Sequence, residues 1–400
     1  MRPVLPAVLL AIIVLLVASC GGGDGDDDGG GNDAAPTADA PIIGQSGDEE
    51  EAATDLGFPA FATKNTTRVG GADAIANAAG VAQAVFPSRD DDTRPSAVAL
   101  VDSTDWRVAI SAAQLMAAPL RAPVLYTEGD ALPAATEQAL GRLVPTGAEQ
   151  AGGAQVIRVG GAAAAEGYKT TEVEGADHAA LAQAIDRLQT AAAGKPSPAV
   201  LIAPAEQPGF AMPAAAWAAK SGDPVLWVTR DAIPPATRAA ITAHKRPRIY
   251  VLGPESAISK GVLDQLDELG DARRISGPDP VANAIAFARF SDGSFGWNVI
   301  DPGHGIVVAS TQRPLDAAAA APLSASGTYG PLLLLTAANA LPAPLQDFLL
   351  DIQPGYDRDP VRGVYNHGWM IGDEAAVSVD VQARIDALLE IQAVGADEGS

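Results

Sequence analysis

The 400-residue chain carries 49 Asp and Glu against 26 Lys and Arg, a net charge of −23. That balance disfavours nucleic acid, which is bound by cationic neutralisation of phosphates. A single cysteine cannot close an internal disulfide and excludes CxxC zinc or redox sites, while 48% hydrophobic and 19% charged residues make a globular composition with enough apolar sequence for two to four domains.

Residues 1–19 read as an export signal: Arg2, an apolar run from Val4 to Val17, then small residues before Cys20. The run is shorter than the ~20 helical residues that span a bilayer. Val17-Ala18-Ser19-Cys20 resembles a bacterial lipoprotein lipobox, which implies cleavage before Cys20 and lipid on that residue; an ordinary signal peptide with an incidental cysteine is the alternative. Several acyl chains at ~0.8 kcal/mol per buried CH2 give a stable anchor to the outer face of the cytoplasmic membrane. Residues 20–55 contain eleven acids after Cys20 and no Lys or Arg, so they read as a disordered, self-repelling tether reaching on the order of 30 Å. A calcium site at Asp24 to Asp28 would need a fixed carboxylate geometry that nothing in this segment supplies. Without Arg2 and the tether the body is still about thirteen charges negative.

From Leu56 onward a pattern occurs three times. A Pro-led apolar run, a polar break and a Leu/Ile-Pro appear at Ala122 to Pro133, Asp223 to Pro234 and Gly330 to Pro342. Each reads as a buried strand, a loop and a helix start. Around these runs the spacing predicts strands at 97–101, 123–127 and 155–159 with helices at 106–118 and 134–143. The second copy gives strands at 199–203, 224–229 and 248–252 with helices at 210–220, 234–244 and 256–269. In the third, strands fall at 305–309, 331–336 and 369–371 and helices at 314–323, 342–350 and 381–391. Asp73 is placed to start an Ala-rich helix ahead of the first set. Short continuous apolar strands alternating with helices predict an α/β fold with parallel sheets covered on both faces. The intervals from Pro123 to Pro224 and Pro331 are about one hundred residues each, domain-sized rather than solenoid-sized. The expected segments are repeat 1 at 56–166, repeat 2 at 167–270, repeat 3 at 271–392 and a polar tail at 393–400. The third carries extra loops at 291–303 and 353–367, which makes it the candidate for a private ligand site.

Arg68-Val69-Gly70-Gly71-Ala72-Asp73 before an Ala-rich helix, Asp316-Ala317 at a helix start, Pro123-Val124-Leu125 leading to Thr127, and the Gly160-Gly161 strand end together resemble the bacterial cell wall binding repeat 2 family. The resemblance covers most of residues 66–391 in three copies. It implies three Rossmann-like units in a pseudo-threefold arrangement, non-catalytic binding of a cell wall glycopolymer, cation-bridged where the polymer is anionic, and no cofactor. Carried over by position, it makes Arg68, Arg274, Asp316, Thr127, Thr229 and Thr336 candidate ligand contacts. The second unit has Glu172 in the arginine position, Val108-Ala109 and Ala211-Met212 stand where the third has Asp316-Ala317, and Thr229 and Thr336 fall one residue later than Thr127.

Each candidate also has an ordinary reading. The threonines end core strands, although open parallel sheets bind ligands at such ends. Arg68 and Arg274 contact a ligand or a neighbouring unit, or are ordinary surface or ion-paired arginines, and Asp316 is a contact or a helix cap. His244 to Arg248 is a basic cluster at a helix end, where cations suit the dipole. The chain has no GxSxG, HExxH or GxxxxGK[ST] motif, and its four histidines lack ligand spacing. Asp301 and His304 form the one polar pair with acid–base potential, in what reads as a turn. An envelope lipoprotein that binds or organises wall polymer is the expectation. A solute-binding lipoprotein with a small saccharide held between units is one alternative; it predicts two lobes around one cleft, whereas polymer binding predicts a closed ring with strand ends facing grooves. A structural relic whose units hold one another and bind nothing is another, and it predicts equal burial of Arg68 and Arg274 in contacts between units.

Overall fold

Runs such as Val98-Ala-Leu-Val and Gly305-Ile-Val-Val-Ala are apolar on both alternating faces, so a strand made of either must be covered from both sides. In the computed structural model, which describes residues 60–326 and 330–394, these runs are central strands whose residues are buried almost throughout. The described residues belong to one compact unit. The signal segment, Cys20, the acidic tether and residues 395–400 lie outside them.

Three sheets share one plan. The first is ordered β4 (Val124–Thr127), β3 (Val98–Asp102), β5 (Val156–Val159), β6 (Thr170–Val173). The second is ordered β8 (Val225–Val228), β7 (Ala199–Pro204), β9 (Arg248–Leu252), β10 (Asp271–Ile275). The third is ordered β12 (Leu332–Leu335), β11 (Gly305–Ser310), β14 (His367–Ile371), β2 (Thr66–Val69), with β1 (Ala60–Ala62) antiparallel on the outer edge of β2. Every other pairing in these sheets is parallel.

The strands at Arg68, Glu172 and Arg274 were legible only as motif leads, yet each completes the sheet of the neighbouring unit. β6 lies past residue 166 and β10 past residue 270, so each segment read from the repeat hands its first strand to the segment before it. β2 does the same for the last segment, pairing Thr66 to Val69 with Gly368 to Ile371 and closing the chain into a ring. The three-unit α/β architecture with parallel sheets is thus present, with its sheets assembled by strand exchange.

One helix per unit faces the middle of the ring. These are α2 (Trp106–Ala112) with its 3-10 extension Ala113–Met116, α5 (Pro213–Ser221) and α9 (Asp316–Ala325), which pack on one another. Ala109, Ala112, Ala214 to Ala216, Ala218 and Ala317 to Ala321 are all buried. Alanine at such contacts lets helix axes approach closely, so the Ala-rich composition follows from the ring.

A second helix per unit spans neighbouring units. α1 (Ala74–Val85) packs on α9 and on β4 together with α3 (Ala134–Leu143). α4 (His178–Ala193) packs on α2 and on β8 together with α6 (Pro235–Ala243), and α8 (Pro280–Arg289) packs on β12 and α10 (Ala343–Asp351). Asp73, Asp177 and Asp279 cap these three helices, accepting from the backbone N–H of Ala76, Ala180 and Ala282 at 2.8, 2.8 and 3.0 Å. Two residues before each cap stands Gly71, Gly175 or Gly277, where a Cβ would come within 2.4, 2.6 or 2.3 Å of the helix's first turn. The Gly-x-Asp repeat is therefore a strand-to-helix corner. The ring is finished by α7 (Lys260–Leu269) and α11 (Val379–Leu389), and a two-strand ribbon pairs β13 (Gly355–Tyr356) with β15 (Gln392–Ala393).

The extra loop at 291–303 is an interface. Its Phe295 stacks on Tyr250 of β9 with centroids 3.5 Å apart, and Trp297 meets Trp217 of α5 edge-on at 5.3 Å. Asp292 accepts from the Tyr250 hydroxyl. Burial, opposed and outweighed by that bond and others from Ser294 and Phe295, leaves the Asp292 carboxyl well below the usual range.

Candidate functional site

The central strands β3, β7 and β11 all end where the chain turns into a ring-centre helix, so these ends gather on one face of the ring. Strand register fixes the equivalences: Asp102, Pro204 and Ser310 pair with Thr127, Val228 and Leu335. Counting forward, Asp105, Gln207 and Arg313 correspond, as do Trp106, Pro208 and Pro314, and Val108, Phe210 and Asp316. The one-residue offset of Thr229 and Thr336 is real, and the counterpart of Asp316 in the second unit is Phe210 rather than Ala211.

Where the third unit meets the first, Asp316 is fully buried. Its Oδ1 accepts from Asn77 Nδ2 at 2.9 Å, a bond from α9 to the bridging helix α1. Asp316 makes no cap for α9. Arg313 Nη2 donates to Asp373 at 2.9 Å, and its Nη1 lies 3.1 Å from where a Cβ on Gly372 would stand. Three buried polar atoms here, Asp316 Oδ2, Asn77 Oδ1 and Arg313 Nη1, have no hydrogen-bond partner among the described residues. Burial raises the Asp316 carboxyl to about 6, against the pull of Asn77 and Arg313. Beside this cluster is a cavity of about 380 Å³ lined by Asp73, Ser103, Thr104, Trp106, Gln312 and Arg313 among others.

Asp316 yields a test. Its folded pKa stands above the unfolded value of 3.8, so its favourable contribution is complete below about pH 4 and is lost as pH rises through about 6. Above that range the ionised carboxylate costs stability. Asp316→Asn keeps the acceptor for Asn77 and removes the charge, and is expected to raise unfolding free energy by about 1–3 kcal/mol at pH 7.5, with the gain vanishing toward pH 4. Urea unfolding at the two pH values checks this; an Asn variant less stable than its parent at pH 7.5 would contradict it.

At the junction of the first and second units the equivalent ground is an open depression of about 520 Å³ walled by Asp102, Asp105, Glu174 and Asp177 beside His178. Three of these carboxylates already serve the backbone. Asp102 accepts from Thr104 and Gly129, Asp105 from Arg107 and Asp177 from Ala180. No group of three or more acidic, His or Cys side chains among the described residues is arranged to hold a metal ion. At the junction of the second and third units, Gly209 lies close against Pro280, where a Cβ on the glycine would stand only 2.8 Å from the proline ring.

The remaining candidates lie apart. Arg68 is buried on β2 and donates to Gln382 Oε1 at 2.9 Å, Gly372 O at 2.9 Å and Val377 O at 2.7 Å. Arg274 on β10 donates to Gly253 O and Ile258 O, both at 2.7 Å. Burial lowers both guanidinium pKa values. Each arginine thus ties an exchanged strand to the loop behind its new neighbour. In the first unit the roles are swapped: Arg158 of β5 bonds Ala162 O and pairs with Glu172. Thr127 is buried and accepts from Ala163 N at 3.1 Å; Thr229 bonds Ala232 across its own loop, and Thr336 is exposed. These three sit one per sheet and do not converge.

His304 and Asp301 form an exposed pair at 3.1 Å. His244, read from sequence as part of a basic cluster at a helix end, is buried between Asp186 and Ser197. Asn77, Arg313, Asp373 and Trp106 escaped sequence reasoning. Asn77 left a signal, as an amide in an Ala-rich helix four residues after the cap, repeated by Asn283 after Asp279.

The geometry defines a ring of three strand-exchanged α/β units with open ground at the strand ends. Residues 172–263, the exchanged strand and most of the second unit, match the family model described as Cell wall binding domain 2 (CWB2). Among solved structures the chain is similar to Cwp8 from Clostridium difficile (17% identity, TM-score 0.62) and Cwp6 from Clostridium difficile (18% identity, TM-score 0.64). Each alignment covers 82% of this chain, and 52% and 50% of those chains. The chain therefore spans about half the length of either, and the likeness is one of fold. No curated protein matches the sequence.

Proposed function

We propose that the chain is an envelope lipoprotein, held to the membrane through Cys20, whose ring binds or organises cell wall glycopolymer without chemical conversion. The observation that carries this reading is the CWB2 match at 172–263, set in a ring whose three sheets repeat the plan of that matched segment. The closed ring with strand ends opening on surface ground fits an extended polymer better than a single enclosed solute. Because the body stays about thirteen charges negative, an anionic polymer is bound through bridging divalent cations, while a neutral one needs none.

Sedimentation with isolated, protein-free cell wall, with and without divalent cations, tests the reading. The purified body is expected to co-sediment with wall and to be released by free wall glycopolymer. Recovery entirely in the supernatant under both ionic conditions would sink it.

A further inference from the structure

Resting on the wall-binding reading, we propose that the cavity between the third and first units is a saccharide subsite, single of its kind among the described residues, taking an uncharged sugar ring with adjacent hydroxyls. The first ground is chemical. Sugar recognition needs an aromatic surface for the C–H face and planar polar groups for the hydroxyls. Trp106 supplies the indole, lining the cavity and partly exposed. Its orientation is set beforehand by Trp227, edge-on at 5.4 Å, and by the Arg107 guanidinium 4.7 Å over the ring. A platform held in this way loses little freedom on binding. Among the described residues no hydrogen-bond partner is found for the Trp106 indole N–H, the Gln312 amide or the Thr104 hydroxyl, and Arg313 Nη1 is buried without one. Asp73 spends Oδ1 on its helix cap and keeps Oδ2 for a ligand.

The second ground is electrostatic. Arg313 is the cation in the cavity wall, and it is already paired with Asp373, while Asp73 and Asp316 stand nearby. A phosphate or uronate would meet more negative than positive charge; a neutral diol meets a carboxylate acceptor and guanidinium and amide donors. The third ground is the inequality of the units. Strand register puts Pro208 and Pro314 where the first unit has Trp106, so the indole occurs once in the ring. A cavity of about 380 Å³ lies at the small end of ligand clefts and holds about one or two sugar rings.

The test is titration calorimetry of the full chain with short oligosaccharides released from purified wall by mild acid, one half of the preparation dephosphorylated. The expected stoichiometry is one per chain, with the dephosphorylated fragments binding at least as well. Gln312→Ala and Thr104→Ala alter exposed side chains and are expected to weaken binding about three- to tenfold each. Trp106→Ala is expected to weaken it tenfold or more, and Trp106→Phe less, with loss of the ligand-induced tryptophan fluorescence change. Oligosaccharide affinity unchanged in Gln312→Ala and Trp106→Phe, three sites per chain, or a requirement for phosphate would overturn the subsite while leaving wall binding intact. Failure of the parent chain to sediment with whole wall is the separate result that removes the underlying reading.

Discussion

A chain begun at Gly70 is expected to lose the folded third unit. Its missing strand β2 is the fourth strand of the third sheet, and Thr66 and Val69 are buried against it. Four residues of parallel pairing, at ~1 kcal/mol per net hydrogen bond, come away together with the three bonds of Arg68 to Gln382, Gly372 and Val377. The loss is on the order of 5 kcal/mol or more, comparable with the whole stability of an ordinary domain. It also turns β14 into an unpaired edge, which invites aggregation. Arg68→Ala isolates one part of the effect. It leaves two buried carbonyls and an amide oxygen without their donor and is expected to cost about 3 kcal/mol, against a smaller loss for Arg274→Ala, which breaks two bonds. Circular dichroism melts and hydrogen exchange over residues 305–310 and 367–371 read the outcome. A shortened chain that melts with its parent would show that the ring does not depend on its closing strand.

The second large effect is expected at Asp186. His244 holds two acceptors at once, Ser197 O on Nδ1 at 2.7 Å and Asp186 Oδ2 on Nε2 at 2.8 Å, so both ring nitrogens must carry protons. Burial works to lower the pKa of His244, but the bond and charge of Asp186 and the Ser197 carbonyl outweigh it and raise the value above 6.5. Both side chains are buried. Asp186→Ala strands an imidazolium in the interior and is expected to cost about 3–5 kcal/mol at neutral pH. For the parent the sign follows from the raised pKa: the pair's contribution is complete below about pH 6.5 and is lost as pH climbs through the folded value. Asp223 shifts in the same sense, its carboxyl raised by burial against bonds from Ser197, Trp217 and Ser221. Stability measured from pH 6 to pH 9 is expected to fall in the parent and to fall less in Asp186→Ala. Equal melting temperatures for parent and variant at pH 6 would contradict the charged pair.

Much of the fold was written in the chain because its strands are apolar on both faces and its helix starts carry Pro or Asp. Helix 134–143 and strand 248–252 are where the spacing put them. The ring closure was not legible, for a physical reason: a repeat has a period but no origin. Cutting before Arg68, Glu172 and Arg274 or after them gives the same spacing, and only hydrogen bonding says that β6 belongs with β5 and β10 with β9. The same ambiguity left contact with a ligand and contact with a neighbouring unit equally open for Arg68 and Arg274, whose partners lie beyond the cut. Asp316 could be singled out from sequence, but its burial against Asn77, some 240 residues away, depends on α1 leaning across from the neighbouring unit. Trp106 was hidden too, since one aromatic at a helix start marks a cavity only when the loops of another unit face it.

Hydrogen exchange of the full chain, free and saturated with purified wall glycopolymer, tests most directly the claim that polymer is bound at the strand ends. The predicted result is slowed exchange in residues 72–78, 102–107 and 310–316, with the ribbon at 355–363 and 392–394 unchanged. Protection confined to that ribbon, or no protection anywhere at saturating polymer, would contradict it.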